Sequence, residues 1–141
     1  MIKGIDHVAV AVSDLDETIE TFKKVFGVDV AHREVIEGYN VETATFDLGN
    51  TCIEFIQGTT DESPIRRYVE KKGPGIHHVA LAVDDVAAAI TTLSAGGAEM
   101  IDRIPRKGKG GSLVAFVHPG STGKILYELV QAGPADGKEV P

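Results

Sequence analysis

Two histidines and two glutamates occupy matching places in the two halves of this 141-residue chain. The segment Gly4-Ile5-Asp6-His7-Val8-Ala9-Val10-Ala11-Val12 returns as Gly75-Ile76-His77-His78-Val79-Ala80-Leu81-Ala82-Val83, identical at seven of nine positions with an offset of 71. Further along, Ile53-Glu54-Phe55-Ile56-Gln57 answers to Tyr127-Glu128-Leu129-Val130-Gln131 at an offset of 74. Such self-similarity marks a duplicated unit. A pseudo-twofold axis between the copies would gather His7, Glu54, His78 and Glu128. A carboxylate in an apolar strand is costly unless it is paired, hydrogen-bonded or bound to a cation. Two neutral imidazoles with two carboxylates form a ligand set for a divalent metal, and these ligand types suit Co²⁺, Mn²⁺, Ni²⁺, Zn²⁺ or Mg²⁺. Taken singly, a strand histidine is commonly a hydrogen-bonded core residue and a strand glutamate a solvated one. Two of each, in step across a duplication, favour the metal.

These side chains need strands that aim them, and alternate strand residues point to opposite faces. Val8, Val10 and Val12 form one face, suited to packing beneath helices. Ile5, His7, Ala9 and Ala11 form the other, and Ile76, His78, Ala80 and Ala82 repeat it. Each histidine therefore has small neighbours, which leave room for something other than side chain. Cys52, Glu54 and Ile56 share a face, as do Leu126, Glu128 and Val130. Ser13 and Asp14 can cap a helix with Leu15, Ile19, Phe22 and Phe26 on its apolar side and Gly27 as its stop. Asp84 and Asp85 precede a second helix carrying Val86, Ile90 and Leu93, ended by Gly96-Gly97. Strands are predicted at 40–48, 51–57, 112–117 and 124–131. Ser63-Pro64 opens a short helix between the copies, with Ile65, Tyr68 and Val69 turned inward and Gly73 ending it. The expectation is an α+β chain of one domain, 1–141. Module 1 spans about 3–60, the connecting helix 63–73, module 2 about 75–132, and a frayed tail 133–141. The extra residues of the second module are assigned to the turn His118–Gly123.

Hydrophobic residues make up 43% and charged residues 25%, as in ordinary soluble domains. The net charge of −7 argues against nucleic-acid or anionic-membrane binding. Residues 1–70 carry 6 basic and 14 acidic side chains, whereas residues 71–141 carry 8 and 7. From Arg103 to Lys124 there are five basic residues and no acidic one, which reads as a local anion-binding patch or a solvated loop. The single cysteine, Cys52, excludes an internal disulfide and a cysteine-cluster metal site, and a reducing, cytoplasmic setting is expected. No apolar segment suits a signal peptide or a membrane span. Cys52 is expected as a small core residue, and His32 and His118 as turn or surface histidines.

The paired strand starts and the His, Glu, His, Glu order resemble the vicinal oxygen chelate superfamily, which includes glyoxalases, bleomycin resistance proteins and dioxygenases. Within it the chain resembles the methylmalonyl-CoA epimerases. The residues that carry this are Asp6-His7-Val8-Ala9, Leu48-Gly49-Asn50-Thr51, Ile53-Glu54 and Asp61-Glu62-Ser63-Pro64-Ile65 in the first half. Gly75-Ile76-His77-His78-Val79-Ala80, Gly110-Gly111, Phe116-Val117-His118-Pro119 and Leu126-Tyr127-Glu128-Leu129 carry it in the second. The resemblance covers roughly residues 3–132. It implies two paired βαβββ modules forming a curved mixed sheet around a divalent metal held by His7, Glu54, His78 and Glu128. Both the family motif and the duplication favour His78 over His77 as ligand.

The implied activity interconverts (R)- and (S)-methylmalonyl-CoA. A proton leaves and returns at the carbon between thioester and carboxylate, through an enolate that a divalent cation stabilises. Proton access to both faces of the planar intermediate calls for two acid/base groups. Glu42 is one candidate, since it alternates with Ala44 and Phe46 along its strand and some epimerases place a glutamate here. Glu128 is the second, on resemblance. Coenzyme A brings phosphates, for which Arg106, Lys107 and Lys109 offer cations and Gly110 and Gly111 offer close backbone approach. The resemblance also implies a homodimer. The alternatives are a lactoylglutathione lyase of glyoxalase I type using the same ligands, and a non-catalytic small-ligand or drug-binding protein of the same fold.

Overall fold

The computed structural model describes residues 1–133 and builds the same strand–helix–strands unit twice. Of the tail expected to fray, residues 134–141 lie outside the described residues. The first copy runs β1 (Ile2–Ala11), α1 (Leu15–Phe26), β2 (His32–Ile36), β3 (Val41–Asp47) and β4 (Cys52–Gly58). Then come α2 (Pro64–Lys72), β5 (Gly75–Val83), α3 (Val86–Ala95), β6 (Arg106–Lys107), β7 (Leu113–Val117) and β8 (Tyr127–Gln131). The chain divides into two units, residues 7–77 and residues 1–6 with 78 onward.

In the unit of residues 7–77 the strand order is β2-β3-β4-β1. β1 runs parallel to β4, and β3 is antiparallel to both β4 and β2. Helix α1 covers one face, where Val12, Leu15, Ala44, Phe46 and Phe55 form a buried cluster with Ile19 and Phe22 against it. The Phe22 ring sits 4.5 Å from that of Phe46, and Phe46 meets Phe55 edge-on at 5.6 Å. Phe26, expected inward, is exposed and rests on Phe22 at 4.9 Å. On the opposite face α2 packs Ile65, Tyr68 and Val69 against Ala9, Ala11 and Ile56. The entry of α2 depends on Gly58, where an added Cβ would lie 2.7 Å from Arg66 Cβ and Ser63 Oγ.

The other unit repeats the pattern in the order β5-β8-β7-β6. β5 is parallel to β8, and β7 is antiparallel to β8 and β6. Helix α3 buries Val86, Ala89 and Ile90 against Val83, Met100, Ala115, Val117 and Leu129.

Equivalent side chains fasten each helix to its own sheet. Asp14 accepts from the Glu17 N–H and Asp85 from the Ala88 N–H, both at 3.0 Å. The last strand adds a second cap in each copy. Gln57 Oε1 accepts from Leu15 N–H at 2.8 Å, and Gln131 Oε1 from Val86 N–H at 3.0 Å. Each glutamine satisfies a helix-start donor that has no partner within the helix. It also lies three residues beyond the glutamate of its strand, so the cap and the glutamate keep a fixed relation in both modules. The residue pattern alone does not place the strands β2 and β6, which the βαβββ modules implied by the resemblance include. No helix among the described residues is long and apolar enough to cross a membrane.

Candidate active site

Each unit carries one histidine facing one glutamate. In residues 7–77, β1 and β4 set His7 beside Cys52 and Ala9 beside Glu54. His7 Nε2 stands 3.8 Å from Glu54 Oε2. In the second unit Ala80 lies beside Glu128, and His78 Nε2 stands 3.5 Å from Glu128 Oε1. The alanines leave each carboxylate room to lie along the strand below its histidine. All four residues are only 7–8% exposed. The separations exceed the ordinary hydrogen-bond range of about 2.7–3.2 Å. Two donors bound at about 2.0–2.2 Å to one cation stand about 3–3.6 Å apart at angles near 90–110°. The His78 pair has that spacing, and the His7 pair is slightly wider. Donor type and burial in both pairs, and spacing in the His78 pair, fit a divalent cation.

The faces of Glu54 and Glu128 hold further residues. Strand pairing sets Thr45 against Glu54 and Thr43 against Ile56, so both hydroxyls share the Glu54 face. Thr43 is buried, and its Oγ1 has no hydrogen-bond partner among the described residues. Sequence reasoning passed over both threonines. They become visible by counting alternate residues back from Glu54 through the Asp47–Cys52 pair.

Glu42 is placed otherwise than expected. It does share a face with Ala44 and Phe46, but that is the face beneath α1, since Ala44 pairs with Phe55 and Glu42 with Gln57. The Glu54 face is the opposite one. The Glu42 carboxylate accepts from Arg33 Nε at 2.8 Å, and Arg33 also donates to Asp16 of α1 at 2.6 Å. The hydrogen bond to Glu42, then that to Asp16, holds the guanidinium well above its usual range. Glu42 thus ties a strand to a helix and is not brought to His7 and Glu54.

The five residues expected to form one anion site also separate. Arg106 pairs with Val114, which pairs with Val130, two positions from Glu128 on the same face. Lys107 pairs with Leu113, a residue packed toward α3, so Lys107 belongs to the opposite face and is exposed. Beyond them Lys109, Gly110 and Gly111 form a 3-10 turn. Its base is closed by the Gly108 N–H donating to Ser112 O at 2.9 Å. Gly110 has φ 62° and supplies the left-handed turn at little cost.

The remaining candidates are placed as follows. His77 meets the Tyr68 ring edge-on at 4.9 Å, and the Tyr68 hydroxyl donates to Ile76 O. His118 caps a 3-10 turn, its Nδ1 accepting from Gly120 N–H at 2.9 Å. His32 is exposed and 3.2 Å from Glu34. Cys52 forms no disulfide and is half-buried rather than in the core.

Comparison with known proteins adds to this geometry. The model of the Glyoxalase/Bleomycin resistance protein/Dioxygenase superfamily matches residues 6–116. The mitochondrial methylmalonyl-CoA epimerase of Dictyostelium discoideum is 40% identical over 130 residues, covering 91% of this chain and 78% of that one. The ethylmalonyl-CoA/methylmalonyl-CoA epimerase of Cereibacter sphaeroides is 33% identical over 133 residues, covering 93% and 99%. A methylmalonyl-CoA epimerase solved in complex with methylmalonyl-CoA and NH4+ superposes with a TM-score of 0.88 at 30% identity, over 100% of both chains.

Proposed function

The chain belongs to the glyoxalase/bleomycin resistance protein/dioxygenase superfamily, and from that footing we propose that it is a metal-dependent epimerase interconverting (R)- and (S)-methylmalonyl-CoA. The observation that carries the reading is the likeness, over the full length of both chains, to an epimerase solved with methylmalonyl-CoA. The duplicated His–Glu pairs supply chemistry of the right kind. We assign His7, Glu54, His78 and Glu128 as the ligands of one divalent cation. When bound, the cation supplies Lewis-acid stabilisation of negative charge developing on the thioester oxygen.

The chain's own groups move the proton. Glu54 and Glu128 are buried carboxylates at duplicated positions, and a pseudo-twofold relation would let them address opposite faces of a planar carbon. One, ionised, takes the α-proton, and the other, protonated at the start of the cycle, returns its own proton from the far side, which inverts the centre. Glu54 replaces Glu42 in this assignment because Glu42 belongs to the α1 face and is engaged by Arg33. Phe116 lies edge-on to the His78 ring at 5.2 Å. Lys107 and Lys109 are assigned to the phosphates of coenzyme A, with Gly110 and Gly111 shaping the turn. A homodimer in the cytoplasm belongs to the same reading.

The test is comparative turnover by the purified protein. Epimerisation of methylmalonyl-CoA, with little conversion of the methylglyoxal–glutathione hemithioacetal, is expected. The reverse preference would replace the reading with a lactoylglutathione lyase. Absence of both activities, with no metal bound, would leave a small-ligand binding protein.

A further inference from the structure

We propose that Arg106 binds the free carboxylate of the malonyl thioester and that Asp102 is the positioning residue that aims it, an inference that rests on the epimerase reading. Arg106 starts the short edge strand β6, and strand pairing puts it on the face of Val114, Phe116, Val130 and Glu128. Its guanidinium carbon lies 5.6 Å from the centre of the Phe116 ring, whose edge contact carries on to His78. The cation is therefore one aromatic ring away from a proposed metal ligand, on that ligand's side of the sheet.

Arg106 is held in place. Its Nε lies 2.9 Å from Asp102 Oδ1, and its Nη2 donates to Oδ2 at 3.1 Å. Asp102 is largely buried, with 12% side-chain exposure, and Oδ2 also accepts from the Phe116 N–H at 2.8 Å. The backbone of β7 thus fixes the aspartate, and the aspartate fixes one edge of the guanidinium. A guanidinium offers five donors in a planar fork, and a second carboxylate can engage its other edge.

The chemistry selects that second carboxylate. The substrate's free carboxylate sits on the carbon that loses its proton, so whatever reads it must stand beside the metal ligands. Removing a proton there places developing negative charge next to an existing one, and a fixed cation lowers that cost. The coenzyme A phosphates are many bonds from the reacting carbon, and Lys107, on the opposite face, is the exposed cation of the pair. Arg106 and Lys107 are adjacent in sequence and divided in task.

The experiment is titration calorimetry of the metal-loaded protein with methylmalonyl-CoA and with propionyl-CoA, which lacks the free carboxylate. The wild type is expected to prefer methylmalonyl-CoA. Arg106→Gln should weaken methylmalonyl-CoA about ten- to a hundredfold and leave propionyl-CoA within about twofold, as loss of a charge-assisted hydrogen bond predicts. Asp102→Asn should lower the preference by a smaller factor, which loss of a purely structural contact would not do. Because Arg106→Gln alone strands a buried carboxylate, the double variant Asp102→Asn/Arg106→Gln serves as the control for folding. It should melt near the wild type and show the same collapsed preference. Equal weakening of both thioesters, or an unchanged preference, overturns the assignment while the epimerase reading stands. A wild type that binds neither thioester overturns both.

Discussion

Glu42→Gln separates a structural carboxylate from a catalytic one. The Glu42 side chain is 26% exposed and that of Arg33 36%, so their attraction is partly screened by solvent. Such pairs contribute about 0.2–1 kcal/mol. The short Arg33 Nε contact at 2.8 Å puts this pair toward the upper end, and glutamine keeps a weaker hydrogen bond. A destabilisation of about 0.5–1 kcal/mol is expected, which lowers Tm by roughly 2–4 °C for a chain of this size. Arg33 stays charged at any working pH, so the difference should not titrate with it. It should shrink in 1 M salt, where the Debye length falls to about 3 Å. Scanning calorimetry reads the stability, and NMR of α-proton exchange in deuterated water reads the chemistry. Exchange is expected to stay within about twofold of wild type, because loss of a general base costs on the order of 10²–10⁴. A hundredfold loss of exchange with an unchanged Tm would refute the assignment of Glu42 to the α1 face and restore it as a base.

Three further outcomes follow from the geometry. Gly58→Ala puts a Cβ 2.8 Å from the Arg66 backbone nitrogen, so α2 must shift at a cost of about 1–3 kcal/mol; an unchanged melting temperature would contradict the packing of α2 on β4. Lys107→Ala/Lys109→Ala should raise KM for methylmalonyl-CoA and flatten its dependence on salt, since fewer charges meet the phosphates; a salt profile as steep as the wild type's would remove the loop from coenzyme A binding. His78→Ala should sharply lower metal content by elemental analysis, and full occupancy would sink the ligand assignment.

The duplication was legible because the spacing of His7 from Glu54 recurs, within three residues, in His78 and Glu128. The small residues Ala9 and Ala80 on the histidine faces were legible by alternation, whereas their place beside the glutamates is set by strand pairing. Alternation also grouped Glu42 correctly with Ala44 and Phe46, yet it says only which residues share a face, not which face. That choice is made by pairing across the Asp47–Cys52 turn, a contact between strands that a single strand's pattern does not encode. For the same reason Thr43 and Thr45 were missed. The loop failed differently. β6 is two residues long and has no periodicity to read, so Arg106 and Lys107 looked alike. Asp102, which fixes Arg106, lies one residue before the acid-free stretch that begins at Arg103 and dropped out of the pattern. The twin caps Gln57 and Gln131 stood in the repeat all along, but only the helix starts at Leu15 and Val86 give them a role.

The central claim, that this chain moves the α-proton of methylmalonyl-CoA with the help of a divalent cation at His7, Glu54, His78 and Glu128, is tested most directly by deuterium exchange with and without chelator. Metal-loaded protein is predicted to wash deuterium into the α-carbon, chelator to abolish this, and added divalent metal to restore it. Exchange that persists at the wild-type rate in metal-free protein, or that never occurs in metal-loaded protein, would contradict the account.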